Sequence, residues 1–322
     1  MVSKAQRASA IRNPSFFSKV IDEGHHFKKS AGLSLLAVPA IITLFLMCYL
    51  PMFGIIIAFK DFNYSLGMFK SPWVGFNNFK FLFNSVDAWT ITRNTILYNL
   101  AYIVFDAVVA VSFAIFLNEL SRRFVKAYQT ILFVPFFVSW VVVGYLMLGL
   151  ADPQNGVLTR LLANLGTGDI NFYGEPSYWP YILIITQLWK TTGFGTLIYY
   201  TGILSIDNTY YEAAEIDGAN KLQRTFFITI PMLKKLIFML LIMNLGNIFR
   251  GDFGLHYFVP NNSGILYPVT DVIDTYTFRA LRQLGNIPMS SAVTVFQSFV
   301  GLITVLIANK VIKVIDDESA LF

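Results

Sequence analysis

Long apolar runs separated by shorter polar stretches dominate this sequence of 322 residues. A helix needs about 20 largely apolar residues to cross the hydrocarbon core of a bilayer. Six runs reach that length, at roughly residues 32–59, 94–118, 128–150, 180–204, 232–250 and 290–312. These runs are continuous, whereas the strands of a membrane barrel alternate apolar and polar residues. The pattern therefore predicts an all-α helical bundle with about six membrane spans.

The composition also indicates a membrane protein. Hydrophobic residues make up 55% of the chain and charged residues only 13%, which is too apolar for a soluble domain of this size. We expect a polar N-terminal segment at residues 1–31, a transmembrane domain at residues 32–313 and a short tail at residues 314–322. The N-terminal segment is predicted to be either a short amphipathic surface helix or a flexible tail. The first apolar run is too long for a signal-peptide core, so we expect it to be retained.

The positions of the basic residues predict an orientation. When the polar segments are numbered from the N-terminus, 15 of the 24 Lys and Arg residues lie in odd-numbered segments and eight in even-numbered ones, while Lys190 lies within a span. Because cytoplasmic segments carry the excess of Lys and Arg, both termini are predicted to be cytoplasmic. The net charge of +5 is explained by this orientation, and no nucleic-acid partner is expected.

Motifs for catalysis are absent from the sequence. No phosphate-binding loop of the Gly-x-x-x-x-Gly-Lys-Ser/Thr type occurs, and we predict no catalytic residues, no metal site and no enzymatic activity in this chain. Cys48 is the single cysteine and lies within the first span, so an internal disulfide is impossible. Energy for any active process must come from another protein.

The polar interruption at residues 205–231 carries strong signals for a first short helix. Asp207 or Asn208 is a suitable N-cap, and Gly218 supplies the left-handed conformation that ends a helix. Acidic residues near the start of this helix suit its dipole. The signals predict a helix that stops at Gly218.

A second short helix is predicted to follow at once. Asn220 and Gln223 have the spacing of a capping box, and we expect the helix to run from there to Pro231. The segment at residues 205–231 is therefore predicted to be a helix, a bend and a second helix between two spans.

The residue order in this segment resembles a known motif. Glu212-Ala213-Ala214 is followed after three residues by Gly218, and after nine more by Ile228-Thr229-Ile230-Pro231. This spacing is similar to the EAA loop of the membrane subunits of ATP-binding-cassette (ABC) importers. Ile230 stands where that family usually has Leu, which is a conservative difference.

Further stretches resemble the sugar permeases of the same family. They are Val74-Gly75-Phe76-Asn77-Asn78-Phe79, Gln129-Thr130, Trp189-Lys190-Thr191-Thr192-Gly193, Ile206-Asp207 and Asp271-Val272-Ile273-Asp274-Thr275-Tyr276. The resemblance implies the branch that imports complex oligosaccharides and polysaccharides, including oligo-uronates such as alginate.

The resemblance also implies a fold, a location and a set of partners. The fold would be a type I ABC importer transmembrane domain in the bacterial inner membrane. One chain offers one EAA loop and two ATPases need two, so the implied partners are two ATP-binding subunits and a second permease, taken to be a different chain. An extracytoplasmic solute-binding protein would deliver the carbohydrate. ATP and Mg²⁺ would be bound by the partner subunits, and this chain would hold no cofactor.

Two groups of residues follow from the resemblance and from the pattern of polar positions. The residues implied to couple to the ATPase are Glu212, Ala213, Ala214, Glu215, Asp217 and Gly218. The residues predicted to line the substrate path are Gln187, Lys190, Thr191 and Phe194, on one face of the fourth span, and Asn244 and Asn247 on one face of the fifth.

The substrate-path residues have two interpretations. Amides and an aromatic ring suit the hydroxyls and apolar faces of sugars, and Lys190 is suited to a carboxylate. The alternative is hydrogen bonding between helices, which Asn and Gln often provide in membranes. The resemblance favours the sugar path for Asn244 and Asn247, because maltose-type permeases use positions around these.

Asp106 is the basis of a rival function. It lies about 12 residues into the second span, near the bilayer centre, where a carboxylate is a functional candidate. Together with the polar fourth span it suggests an ion-coupled secondary transporter. We favour instead a buried Asp106 that forms hydrogen bonds to a neighbouring helix. A purely structural scaffold explains the hydrophobicity but not the spacing from Glu212 to Pro231.

Overall fold

A computed structural model describes residues 31–166, 170–317 and 320–321. The helix or tail predicted for the N-terminal segment lies outside these residues, apart from Ala31. The described residues are predominantly helical, with an isolated antiparallel bridge between Lys60 and Trp73. The chain divides into two compact units, one up to Ile56 and one from Ile57 onward.

The principal helices are α1 (Ala31–Leu44), α2 (Val86–Glu119), α3 (Arg122–Phe133), α4 (Trp140–Ala151), α5 (Trp179–Leu204), α6 (Asn208–Ile216), α7 (Lys221–Arg224), α8 (Ile230–Leu245), α9 (Phe253–Phe258), α10 (Ile273–Leu284) and α11 (Ile287–Ile315). Short α-helices lie at Gly67–Lys70, Phe81–Asn84, Val157–Asn164 and Tyr267–Thr270. The 3₁₀ segments are Leu50–Phe59, Asn77–Phe79, Val134–Phe137, Pro176–Tyr178 and Gly264–Leu266, and the π-helical turns are Phe45–Tyr49 and Thr225–Thr229.

The first apolar run changes helix type along its length. α1 contains Pro39 and leads into the π-helical turn at Phe45–Tyr49, which precedes Pro51 in the 3₁₀ segment. Proline lacks a backbone N–H, and a widened turn tolerates the missing donor. Residues Leu35–Phe59 remain one helix that is long and apolar enough to cross a membrane.

Four helices of the described residues pass that test of length and composition. They are Leu35–Phe59, Val86–Glu119, Lys221–Leu245 and Ile287–Ile315. They correspond to the first, second, fifth and sixth predicted spans. The predicted fourth span is the 26-residue helix α5, which is long enough but less apolar because it carries Gln187, Lys190 and several threonines.

The predicted third span needs a correction, because it is not one straight helix. α3 and α4 are separate helices that meet at an angle of 96°. Val138 and Ser139 between them have extended backbones, and the Ser139 hydroxyl caps α4 by accepting a bond from the amide of Val142 at 3.4 Å. We call residues 134–139 the elbow. With the bent pair counted as one span, the described helices offer five apolar spans.

Small and aromatic residues pack α2, α5 and α8 together. Ala110 and Ala114 of α2 pack with Tyr199 and Ile203 of α5 and with Leu233 of α8. Small side chains let helix backbones approach closely, which is the usual basis of packing between membrane helices. These three helices form the centre of the second unit.

Asp106 joins two of these helices. Its carboxylate accepts a hydrogen bond from the hydroxyl of Thr192 at 3.0 Å, and the Thr191 hydroxyl lies 3.3 Å from it; both threonines are on α5. The interpretation of Asp106 as a hydrogen-bonded group facing a neighbouring helix is therefore confirmed.

The connection between α8 and α11, at residues 251–286, is a packed structure. Its residues Leu255, Val259 and Val272 are fully buried with Tyr98 of α2 and Trp179 of α5. Polar groups of loops must find partners when they are buried. The Asn94 side chain supplies them by donating to the carbonyls of Pro268 and Asp271, at 3.1 Å each, and Asp271 forms an ion pair with Arg279.

His256 lies at the centre of this packed region, with 3% of its surface exposed. Its Nδ1 is 2.8 Å from the carbonyl of Thr270 and its Nε2 is 3.1 Å from the Tyr102 hydroxyl. Burial lowers the pKa of His256 from 6.5 to about 4, and the hydrogen bond to Thr270 opposes that change. The imidazole is therefore neutral at physiological pH.

We predict that the thermal stability of the protein falls as the pH is lowered from about 6.5 toward 4. In this window the unfolded chain binds a proton at His256 that the folded chain does not, which removes at most about 1.4 kcal/mol of stability per pH unit. The His256→Gln variant should be less stable at pH 7 and should lose this part of the pH dependence. Thermal unfolding midpoints of both proteins in detergent at pH 5 to 7 test this, and an unchanged pH dependence in the variant would contradict it.

Candidate functional site

The elbow between α3 and α4 exposes a backbone carbonyl in an apolar environment. Because Val138 and Ser139 are extended, the carbonyl of Phe136 has no helical donor. Leaving a backbone carbonyl without a hydrogen-bond donor in an apolar environment costs a free energy on the order of several kcal/mol. Lys190 of α5 supplies the donor, with its Nζ at 2.8 Å from the Phe136 oxygen.

Lys190 is itself held by aromatic and acidic groups. Its Nζ lies 5.1 Å from the centroid of the Trp140 ring and 5.5 Å from that of the Phe136 ring. The indole Nε1–H of Trp140 donates to Asp252 at 3.0 Å. Burial raises the pKa of Asp252, while the hydrogen bonds from the amide of Leu255 and from Trp140, and the charge of Lys190, lower it. Lys190, which is buried, and Trp140 and Asp252, which are half-buried, thus form one polar cluster beside the elbow.

Three glycines allow the backbones around the elbow to meet. A side chain at Gly193 would collide with the carbonyl of Leu132 in α3, and one at Gly254 would collide with the Trp140 ring. A side chain at Gly144 would come within 2.5 Å of the Phe258 carbonyl oxygen. The close approach of α5 and α9 to the two arms of the elbow therefore depends on glycine at these positions.

Four aromatic rings form a ledge over the same elbow. Phe136 and Phe194 stack with centroids 5.0 Å apart and an interplanar angle of 13°, and Phe133 stacks on Phe136 at 5.6 Å. Phe137 packs edge-on against Phe133. Phe136, Phe137 and Phe194 are exposed, so the ledge presents ring surface to whatever lies beside the chain.

A second candidate site is the helix pair at residues 205–231. Asp207 caps α6 by accepting bonds from the amide of Thr209 at 2.9 Å and its hydroxyl at 2.8 Å. These bonds lower the pKa of Asp207. Gly218 has a φ of +82°, and Asn220 and Gln223 form the capping box of α7. The predicted caps and bend are confirmed.

The end predicted for the second helix is wrong. Residues Lys221–Leu245 form one continuous helix, in which a π-helical turn at Thr225–Thr229 joins α7 to α8. Pro231 lies at the start of α8 and does not end the helix, because the wider turn accommodates its missing donor.

Most of the predicted coupling residues are exposed. Glu212, Ala213, Glu215, Asp217 and Gly218 lie on the surface, and Ala214 is half-buried. Glu215 forms an ion pair with Arg224 at 3.0 Å. Two large apolar residues beside them are also exposed, Ile216 by 86% and Phe227 by 78%. The sequence analysis missed this apolar component.

The sequence matches a family of transport proteins over most of its length. Residues 88–317 match the family described as "Binding-protein-dependent transport system inner membrane component". The chain belongs to this family. It is a membrane-spanning permease component of an ABC importer and is not itself the catalytic subunit.

Similar proteins extend the match to almost the whole chain. Protein LplB of Bacillus subtilis (strain 168) is 33% identical over 293 residues, which cover 91% of this chain and 92% of LplB. The polygalacturonan/rhamnogalacturonan transport system permease protein YteP of the same organism is 34% identical over 289 residues, 89% of each chain.

Solved structures give the same fold. A chain of a bacterial ABC transporter involved in the import of the acidic polysaccharide alginate superposes with a TM-score of 0.83 at 30% identity, and the match covers 92% of this permease and 99% of that chain. A bacterial alginate ABC transporter in complex with an alginate pentasaccharide-bound periplasmic protein gives a TM-score of 0.80 at 30% identity, with coverage of 89% and 95%. The prediction of an all-α type I permease fold is confirmed.

The predicted substrate-path residues of α5 do not all contact the same neighbour. Lys190 contacts the elbow, and the Thr191 hydroxyl lies near Asp106 and donates to the carbonyl of Gln187 at 2.9 Å. The side-chain oxygen of Gln187 is buried and accepts no hydrogen bond from the described residues. Phe194 belongs to the aromatic ledge. Lys190 therefore bonds to a neighbouring segment, as in the alternative interpretation, whereas the Thr191 hydroxyl bonds within α5.

Asn244 and Asn247 are placed differently. Asn244 lies in the last turn of α8 and Asn247 in the turns that follow, and both are exposed. In the described part of the permease, no hydrogen bond joins either side chain to α5. Gly202 of α5 lies against Leu236 of α8. Measured from this point along the helix axes, Asn244 of α8 is about 12 Å away and Lys190 of α5 is about 18 Å away, in the same direction.

Trp140, Phe136 and Asp252 were missed as partners of Lys190. The signal for the break was present, because Pro135 inside an apolar run followed by Ser139 is the pattern of one helix ending and another being capped. The pairing of Asp252 with Trp140 had no local signal, because these residues are 112 positions apart.

We predict that Lys190→Met destabilises the permease, because it leaves the Phe136 carbonyl without its donor and removes the positive charge near Asp252. A buried hydrogen bond to a charged group is worth about 1.5–3 kcal/mol, so the thermal midpoint in detergent should fall clearly. Lys235→Met is the matched control, because Lys235 is an exposed lysine on α8, and it should unfold like the wild type. If Lys190→Met kept full stability and lost only uptake of carboxylated sugars, Lys190 would instead be a substrate residue.

Proposed function

We propose that this chain is the permease subunit of an ATP-driven importer for oligosaccharides or polysaccharides and forms half of the translocation path. The observation that carries the proposal is the match to a chain of an alginate importer at 30% identity over 92% of this permease. YteP, by its name a polygalacturonan/rhamnogalacturonan permease, supports the same substrate class. The descriptions of both relatives name acidic polysaccharides, so we propose that this permease transports an acidic saccharide.

The aromatic ledge suits such a cargo. The apolar faces of pyranose rings pack on aromatic rings, and Phe136, Phe137 and Phe194 offer exposed ring surface beside the elbow. Asn244 and Asn247 offer exposed amides for sugar hydroxyls. The single acidic residue in the α2–α5 interface described above, Asp106, is occupied by two threonine hydroxyls, which does not favour a proton relay.

The loop at residues 205–231 is the proposed connection to an ATPase. Its acidic residues Glu212, Glu215 and Asp217 suit basic groups on a partner, and Ala213 and Gly218 allow close approach. Exposed Ile216 and Phe227 add an apolar component to this short-helix-in-groove contact. Because each chain carries one such loop, we propose a second permease beside two ATP-binding subunits that hold ATP and Mg²⁺. We also propose an extracytoplasmic solute-binding protein as a partner. We place both termini in the cytoplasm from the distribution of Lys and Arg.

The test is uptake by the reconstituted complex in vesicles. We expect uptake of an acidic oligosaccharide, such as an alginate or oligogalacturonate fragment, to require internal ATP and the loaded binding protein. Uptake should continue after ionophores have collapsed the proton and sodium gradients. Uptake that needs a gradient and proceeds without ATP would overturn the proposal.

We predict that Gly218→Val uncouples the permease from its ATPase. The φ of Gly218 is +82° and no atom lies near the position of an added Cβ, so the substitution acts through the backbone at a cost of about 1–2 kcal/mol and reshapes the bend. Uptake should fall while membrane insertion is retained. The measurements are uptake and ATP hydrolysis stimulated by the binding protein.

Gly285→Val is the matched control for this prediction. Gly285 also has a positive φ, +63°, and open space around it, but it ends α10 in the packed region far along the chain from the loop. The Gly285→Val variant should have a similar backbone strain, but its permease should stay coupled to the ATPase. Equal losses of coupling in both variants would contradict a specific role of Gly218.

A further inference from the structure

The helix α6, which carries most of the coupling residues, is weakly packed against the rest of the permease. None of its residues is buried. A cavity of about 440 Å³ lies beside it, lined by residues that include Asn118, Tyr211, Lys221 and Thr229. A displacement of α6 can therefore reach the spans only through the few bonds that cross this region and through the chain itself.

The helix that follows α6 is continuous, so it can move as one unit when α6 is displaced. α7, the π-helical turn and α8 form one continuous helix from Lys221 to Leu245. Its far end carries Asn244, one of the predicted substrate-path residues. A movement applied at Thr229, near the start of α8, is transmitted along about 15 residues of helix, or roughly 22 Å.

A partly buried hydrogen bond between two hydroxyls joins α6 to this helix. The Tyr211 hydroxyl lies 3.0 Å from the Thr229 hydroxyl, and Thr229 is 4% exposed. The Thr229 hydroxyl also lies 3.5 Å from the carbonyl of Arg224. Either hydroxyl can donate in the Tyr211–Thr229 bond, which links α6 to the π-helical turn.

The other polar contacts of this region are more exposed. The side chain of Glu215 in the Arg224–Glu215 pair is 71% exposed, and that of Lys221 in the Lys221–Glu119 pair is 70% exposed. Exposed ion pairs contribute about 0–1 kcal/mol and tolerate changes of geometry. The Tyr211–Thr229 bond, whose Thr229 end is buried, is the better defined link.

We propose that the hydrogen bond between Tyr211 and Thr229 transmits the movement of α6 to α8, so that Tyr211 is a positioning residue for energy coupling. This inference rests on the proposed function, because it assumes that an ATPase moves α6. Tyr211 touches neither nucleotide nor sugar. It acts by setting the position of α8 relative to α6.

The test uses the complete complex reconstituted in vesicles, with the amount of saccharide imported per ATP hydrolysed as the readout. Tyr211→Phe and Thr229→Val each remove one hydroxyl, and each should lower this ratio by about threefold or more while ATP hydrolysis continues. Thr229→Ser keeps the hydroxyl and should restore the ratio. The double variant Tyr211→Phe with Thr229→Val should be no worse than either single variant, because both remove the same bond.

Tyr210→Phe is the matched control. Tyr210 precedes Tyr211 on the same helix and is 55% exposed, so the loss of its hydroxyl should leave the ratio unchanged. Copurification of the partner chains with every variant separates coupling from assembly.

The inference is overturned if Tyr211→Phe leaves the ratio unchanged, if Thr229→Ser is as impaired as Thr229→Val, or if the double variant shows additive losses. Wild-type complex that imports no saccharide with ATP would overturn the proposed function, and the inference with it. Wild-type import with unchanged ratios in all variants would overturn the inference alone.

Discussion

Backbone groups inside a membrane must find partners within the protein, and this constraint explains the arrangement around the elbow. The break at Val138 and Ser139 frees the Phe136 carbonyl, and Lys190 of α5 donates to it. Lys190 then requires its own environment, which the Trp140 ring and Asp252 supply. Gly193 and Gly254 permit the approach that these contacts need. The elbow, α5 and α9 therefore depend on one another.

Two prolines that follow helical segments have opposite consequences in this permease. Pro135 lies in a 3₁₀ segment and is followed by extended residues, so the chain turns by 96°. Pro231 follows a π-helical turn, and the helix continues for the length of a span. The first break creates a carbonyl that a side chain must satisfy, and it places an aromatic ledge beside the proposed path. At Pro231 the helix is not broken, and one continuous helix runs inward from the proposed coupling loop at residues 205–231.

This combination suits an importer that is moved from outside the membrane. In the proposed mechanism α6 contacts the partner, and the continuous helix from Lys221 to Leu245 would carry its displacement inward. The region at residues 251–286 lies at the opposite end, where buried His256, Asn94 and the Asp271–Arg279 pair hold it against α2 and α5. The exposed helix α6 and the packed region at residues 251–286 are thus at different ends of the same helices.

The sequence by itself determined the helical class, most of the spans, and the local structure from Asp207 to Gln223. These features depend on residues close together in the chain: apolar length, an N-cap, a left-handed glycine and a capping box. Only the tertiary structure decided that Lys190 serves the elbow, that Asp106 bonds to α5, that residues 251–286 are buried and that the helix continues through Pro231. Each of these depends on partners distant in sequence or on the choice between helix geometries. Local propensity cannot settle that choice, because a proline is compatible with both a break and a widened turn.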